Sequence, residues 1–108
     1  MKLEQKNNNL VITIDSTNTL DSPALQTALQ EYSEQSVILL ISSNELSEKE
    51  SEFLVNLTKQ RKANGTSFVV VTTDITADEA PEGLNIVPTL LEAEDVIQME
   101  NIERELGF

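Results

Sequence analysis

Apolar and polar residues repeat with two different periods along this chain, and each change of period marks an element boundary. Near the start, Leu10, Ile12 and Ile14 alternate with Val11 and Thr13. A period of two predicts a strand, Leu10 to Asp15, with one apolar face. Met1 to Gln5 reads as its hairpin partner across the polar turn Lys6-Asn7-Asn8-Asn9. After the polar run Ser16 to Thr19, Ser22 followed by Pro23 predicts an N-cap and a first helical position, where the absent proline N–H costs nothing. Ala24, Leu25, Ala28, Leu29 and Tyr32 then recur at steps of three and four, the stripe of an amphipathic helix.

Val37 to Ile41 is an unbroken apolar run with a β-branched bias, which predicts a central strand covered on both faces. Ser47 and Glu50 have the spacing of a capping box, so a second helix is expected from about Glu48 to Ala63. Its core side is Phe53, Leu54 and Leu57, with the stem of Arg61 below them, and Lys59, Arg61 and Lys62 place positive charge where the helix dipole favours it. Asn64-Gly65 supplies a left-handed stop. Ser67 to Thr72 repeats the buried-strand pattern. A helical turn is expected around Ala77 to Ala80, ended by Pro81, followed by a short strand, Leu84 to Val87. Thr89 and Glu92 form a second capping-box pair ahead of a long helix to about Leu106.

The resulting order is β-β-α-β-α-β-(α)-β-α in a single domain, residues 1–108. It predicts an α/β fold with a mixed sheet of four to five strands, an N-terminal hairpin, and helices after the second, third, fourth and last strands. The β-α-β passages should make neighbouring strands parallel through right-handed crossovers.

This order resembles the STAS domain of anti-sigma factor antagonists. Val37-Ile38-Leu39-Leu40-Ile41-Ser42 is similar to the family strand V-I-L-D-L-S, Gly65 to Val71 to its G-x-x-L-x-L-V strand, and Ile86-Val87-Pro88-Thr89-Leu90-Leu91-Glu92-Ala93 to its I-F-x-S-x-E-E-A passage. The resemblance implies a regulatory domain that acts by protein contact. It departs from the family where function is concerned. Antagonists carry Asp-Ser-Ser-Gly at the start of the second helix, where a serine is phosphorylated, and this chain has Leu46-Ser47-Glu48-Lys49-Glu50 there; Leu40 also stands where the strand has an aspartate. Capping accounts for Ser47. Glu48 is a candidate fixed negative charge where a phosphoserine would sit. The closing run, Val87 to Phe108, also resembles that of a small STAS-like group, some of whose members are labelled ribonuclease Z. A ribonuclease Z of the metallo-β-lactamase type holds two zinc ions in a His-rich site, and this chain has no His. The resemblance then implies association with such an enzyme and not its activity.

Composition narrows the chemistry further. The 108 residues carry 19 Asp plus Glu against 7 Lys plus Arg, a formal charge of -12, with no Cys, His or Trp. Zinc sites, imidazole-dependent hydrolysis and thiol redox chemistry are excluded as self-contained activities. Strong acidity opposes nucleic-acid binding, which rests on cations neutralising phosphates. No apolar run approaches the roughly 20 residues of a membrane span, and no apolar signal core opens the chain, so a cytoplasmic protein is expected. Glycines are isolated and form no phosphate loop, and no carboxyl lies within an apolar run as a general acid requires. No enzyme, cofactor or metal is expected. Asp74, Asp78, Glu79 and Glu82 do not have the spacing of a calcium loop.

The last helix carries two apolar sets. Leu90, Ala93, Val96 and Ile97 cluster on one side, and Leu91, Met99, Ile102 and Leu106, continued by Phe108, on nearly the opposite side. Either the helix bends near Gln98 and buries both sets, or the second set is exposed and binds something, a second copy included. From Asp74 to the end, ten acidic residues face only Arg104, so this third of the chain contributes -9. It is either a solvated surface or one that steers a basic partner. The candidate partner-binding residues are therefore Ser47, Glu48, Glu50, Met99, Ile102 and Leu106. The alternative is a small-ligand sensor with a cleft at Asn44, Glu45 and Ser47, beside the C-terminal end of the third strand.

Overall fold

In the computed structural model, which describes residues 1–14, 20, 22–42, 46–73, 75, 78 and 80–107, five strands form one mixed sheet. β1 (Lys2–Lys6) and β2 (Asn9–Ile14) are followed by α1 (Pro23–Glu31), β3 (Val37–Ile41), α2 (Glu48–Ala63), β4 (Phe68–Val71), β5 (Asn85–Val87) and α3 (Leu90–Glu105). The spatial order is the chain order, β1-β2-β3-β4-β5. β1 pairs antiparallel with β2, and every later pair is parallel, with Leu10 opposite Val37, Val37 opposite Phe68 and Val70 opposite Ile86. The turn is tighter than the four-residue one expected. Asn7 and Asn8 both adopt positive φ, 52° and 68°, the requirement of a two-residue type I′ hairpin, so each strand gains a residue. The helical turn expected around Ala77 to Ala80 falls largely outside the described residues.

A monotonic strand order has a geometric consequence. Right-handed crossovers that always step in one direction put their helices on the same face of the sheet. α1 and α2 accordingly share one core, where Leu25, Leu29 and Leu54 pack with Leu10, Ile12, Ile14, Val37, Leu39, Phe68, Val70 and Ile86. The other face receives the alternate residues Val11, Ile38, Val69 and Val71, and α3 covers them with Ala93 and Ile97. Strands β2, β3 and β4 are thus apolar on both sides. β2, expected to have one apolar face, lies inside the sheet and buries Val11 as well. β1 is an edge strand with all five residues exposed, and Lys2, Glu4 and Lys6 along it discourage pairing with another sheet.

Caps set the helix starts. Ser22 Oγ accepts the Leu25 N–H at 3.2 Å. At α2 the box is reciprocal: Ser47 Oγ accepts the Glu50 N–H at 3.1 Å, and Glu50 Oε1 accepts the Ser47 N–H at 2.8 Å. At α3 it is one-sided, with Thr89 Oγ1 accepting the Glu92 N–H at 3.1 Å. α2 ends at Asn64-Gly65, and Gly65 has φ +81°, a backbone state that a side chain disfavours.

Arg61 corrects the sequence-based expectation. Its stem lies on the core side, but its charge does not serve the end of its own helix. The whole side chain is buried, and the guanidinium donates to three carbonyls at the end of α1: Nη1 to Leu29 at 2.9 Å, and Nη2 to Tyr32 at 2.8 Å and Gln35 at 2.7 Å. Burial pushes its pKa down from the usual arginine range, a desolvation cost that the carbonyls oppose. Hydrogen bonds to a charged group are worth about 1.5–3 kcal/mol each, and an orphaned buried acceptor costs about 1–3 kcal/mol. Arg61→Met is therefore expected to lose about 3 kcal/mol of stability, read as a lower urea midpoint at unchanged slope. Arg61→Lys should recover only part of this, because an ammonium lacks the planar fork.

Candidate functional site

Two surfaces hold the residues that sequence reasoning selects. The first is the start of α2. Ser47, Glu48 and Glu50 are brought together there by the capping box, next to the passage that leaves the C-terminal end of β3. Ser47 and Glu48 are exposed and Glu50 is half-buried. The Ser47 hydroxyl and the Glu50 carboxylate are engaged in the box, which leaves Glu48 as the acidic group projecting from the first turn. A carboxylate in that position is favoured by the orphan N–H groups of the helix start.

The cleft proposed for a small ligand gets little from this end of the molecule. Asn44 and Glu45 lie outside the described residues, and Ser47 is committed to capping. Open α/β sheets bind ligands where the strand order reverses and adjacent helices diverge to opposite faces. This sheet has no reversal. A shallow depression of about 530 Å³ does run along the outer side of α2, lined by Glu48, Ser51, Glu52, Val55, Asn56, Lys59 and Pro81. Only Val55 and Pro81 in that lining are apolar, whereas pockets for small molecules are predominantly apolar. At the other end of the strands, Lys62, Glu100, Glu103 and Arg104 line a cleft of about 240 Å³, small against the usual ligand pocket. Among the described residues, no three His, Cys, Asp or Glu side chains converge on a point that could hold a metal ion.

The second surface is the outer side of α3. The helix is continuous from Leu90 to Glu105. Ala93 and Ile97 are fully buried against the sheet, while Leu91, Met99, Ile102 and Leu106 are 69 %, 58 %, 55 % and 67 % exposed. These numbers decide between the two arrangements the sequence allowed: the second apolar set faces solvent from Leu91 to Leu106, and Phe108 lies outside the described residues. The inner side is held by polar contacts as well. Asn7 Nδ2 donates to Glu94 Oε1 at 3.2 Å with Lys6 Nζ 3.8 Å from the same oxygen, and Asn85 Nδ2 donates to Glu100 Oε2 at 3.3 Å with Lys62 Nζ 3.9 Å away. Long pairs with half-exposed lysines contribute at most about 1 kcal/mol, so they position α3 more than they stabilise it. Arg104 turns inward, donating to Ser67 Oγ at 3.1 Å and to Asn101 Oδ1.

The two surfaces belong to different faces of the sheet, since α2 packs on one and α3 on the other. They are not one composite site. Sequence reasoning identified the residues of both, but it gave no sign that Lys6, Lys62 and Arg104 are all drawn to the inner side of α3. Asn85 and Ser67, which contact α3 side chains, were also missed; Asn85 opens β5 and Ser67 immediately precedes β4, and neither carries a pattern. No helix among the described residues is long and apolar enough to cross a membrane.

Comparison with protein-family models gives no match for this chain. Comparison with curated proteins gives none either.

If the Ser47 hydroxyl serves only the cap, Ser47→Ala should cost about 1 kcal/mol, and Ser47→Asp, which can also accept the Glu50 N–H, should retain most of the stability. Urea unfolding of the two variants checks this, and equal losses in both would count against a purely capping role.

Proposed function

We propose that this chain is a non-catalytic, STAS-like regulatory or scaffold domain of the cytoplasm that acts by protein–protein contact, without a phosphoserine switch. The observation that carries the reading is the apolar row on α3, with four large side chains each more than half exposed on one side of one helix. Contiguous exposed apolar surface in a folded domain marks interaction sites far more often than single exposed residues do. The element order supports the STAS-like part: a hairpin first, crossover helices on one face and a terminal helix alone on the other.

In this reading α2 presents a constant signal. Antagonists of the family resembled gain charge at the start of the second helix by phosphorylation, and Glu48 supplies one permanently. The domain would then hold a single binding state and respond to the level of its partner. The ribonuclease Z resemblance of the closing run is consistent with such a partner being an enzyme that this domain accompanies.

Two measurements test the proposal. Capture from native extract should recover the same partner with the parent protein repeatedly, and lose it with either Glu48→Ser or the combined variant M99Q/I102Q/L106Q. A thermal-shift screen of nucleotides and metabolites should leave the melting temperature unchanged. A ligand present at about 100 times its Kd adds about 2.7 kcal/mol. In a domain of this size that is a rise of roughly 10 °C or more. A rise of that size would replace the contact reading with a small-ligand sensor.

A further inference from the structure

Four of the six large apolar side chains exposed among the described residues lie on α3 and its C-cap Leu106, the other two being Met1 and Leu3 at the far edge of the sheet. Leu91, Asp95, Met99, Ile102 and Leu106 follow one another at steps of three or four. At 100° per residue they form one row, opposite to Ala93 and Ile97. The row runs the length of the helix, about 22 Å. Only Asp95 interrupts it. Glu92 and Glu103 border it on one side and Glu105 on the other.

These four carboxylates are all exposed, and none has a cationic partner among the described residues. The ion pairs there are Lys2 with Glu4, Lys6 with Glu94 and Lys62 with Glu100. The one cation of the helix itself, Arg104, points inward to Ser67. The outer side of α3 is therefore an apolar row framed by uncompensated negative charge.

That combination selects among occupants. An anionic membrane surface or a nucleic-acid backbone would set phosphates against the carboxylates. A second copy docked through the same row would bring Glu92, Asp95, Glu103 and Glu105 against themselves, and symmetric pairing of like charges is unfavourable. A convex helix surface cannot enclose a small molecule. A helix laid alongside α3 can interdigitate apolar side chains at the same spacing. We propose that this side of α3 docks an amphipathic helix of another protein, one whose apolar row is bordered by lysine or arginine and which places a cation against Asp95. The inference rests on the protein-contact reading above and specifies the chemistry of the partner.

The test uses the whole chain and three synthetic peptides of about five helical turns. One carries Leu at helical spacing with Lys beside it, one has the same composition with the Leu residues scattered around the helix, and one has Glu in place of Lys. Fluorescence anisotropy at moderate salt should show the first peptide binding at least ~10-fold tighter than either control, a difference of about 1.4 kcal/mol. M99Q/I102Q/L106Q should lose at least ~10-fold of that affinity. E92Q/D95N/E103Q/E105Q should weaken binding and flatten its dependence on salt. Gln30→Ala, exposed on α1 on the opposite face of the sheet, should change neither. All substituted side chains are exposed, so circular dichroism should be unchanged, and only E92Q/D95N/E103Q/E105Q, which takes the Glu92 charge from the first turn of α3, should shift the melting temperature, by a few degrees.

Equal binding of the ordered and scattered peptides would overturn the proposal, because it would reduce the effect to diffuse charge. So would an unaffected M99Q/I102Q/L106Q variant. Sedimentation of the protein alone showing a dimer that M99Q/I102Q/L106Q dissolves would assign the row to a second copy and overturn it as well. A partner captured from extract that depends on Glu48 but not on the α3 row would leave the protein-contact reading standing with this inference gone. Failure to capture any partner, or a thermal-shift rise that makes the domain a ligand sensor, would remove both readings.

Discussion

A buried guanidinium joins the two crossover helices. Arg61 leaves the inner side of α2 and closes on the carbonyls of Leu29, Tyr32 and Gln35, where α1 ends. The end of a helix leaves carbonyls without intrahelical donors, and they concentrate negative partial charge. Here the turn Tyr32 to Ser36 leads into β3 inside the sheet, and the carbonyls of Leu29, Tyr32 and Gln35 face the buried Arg61 side chain, which supplies their donors. Among the described residues no carboxylate takes part. The cation is balanced by the oriented dipoles of one helix end, a geometry that only a planar fork can satisfy at several carbonyls together. The same residue's own carbonyl accepts the N–H and the hydroxyl of Thr66 beyond the end of α2, at 2.9 and 3.0 Å. One side chain and its backbone therefore link the end of α1, the end of α2 and the entry to β4.

With α1 and α2 fixed on one face, the remainder of the architecture is constrained. A sheet that grows strand by strand in one direction sends its right-handed crossovers over the same side, so the opposite side must be covered from elsewhere. Val11, Ile38, Val69 and Val71 would otherwise stand in water. α3 follows β5 and returns across them. Only Ala93 and Ile97 of this helix are fully buried. A small residue allows close approach and a β-branched one fills the remaining space, so a single helix can cover that face with a narrow contact. Its outer side is then left with no partner among the described residues. That is why an apolar row can exist there at no cost to the core.

How much of this could be read beforehand depends on the range of the interaction concerned. Local rules located the strands by alternation in Leu10 to Ile14 and by apolar runs at Val37 and Phe68. They located the helix starts by Ser22, Ser47 and Thr89, and the end of α2 by Gly65, because caps and turns are settled within four residues. The role of Arg61 was out of reach. A cation near the end of a helix has a sufficient local explanation in its own dipole, and its real partners lie 26 to 32 residues away. The α3 row shows a similar limit from the other direction. Periodicity separates two apolar sets, yet both satisfy it equally, and only packing against Val11, Ile38, Val69 and Val71, residues distant in sequence, distinguishes the one that meets the sheet. For the start of α2, the residues and their capping geometry were readable, while Asn44 and Glu45 belong to a passage that carries no periodic signal.

The acidic side chains around the row have a physical role of their own. An apolar row of this length on an uncharged helix would favour pairing of copies, since two such rows together remove apolar surface from water at about 25 cal/mol per Å². Placing Glu92, Asp95, Glu103 and Glu105 along it sets like charges facing one another within a Debye length, about 8 Å at physiological salt, whenever two copies align. Repulsion of that kind costs the free domain little, because exposed carboxylates remain hydrated. The inner acids show the contrast: Glu94 and Glu100, largely covered, each have a lysine and an amide nearby. Compensation of charge on α3 is therefore confined to the side that faces its own fold. The side that faces outward keeps its charge unbalanced, so the same carboxylates that separate identical copies would attract a surface of opposite sign and orient its approach before the apolar row makes contact.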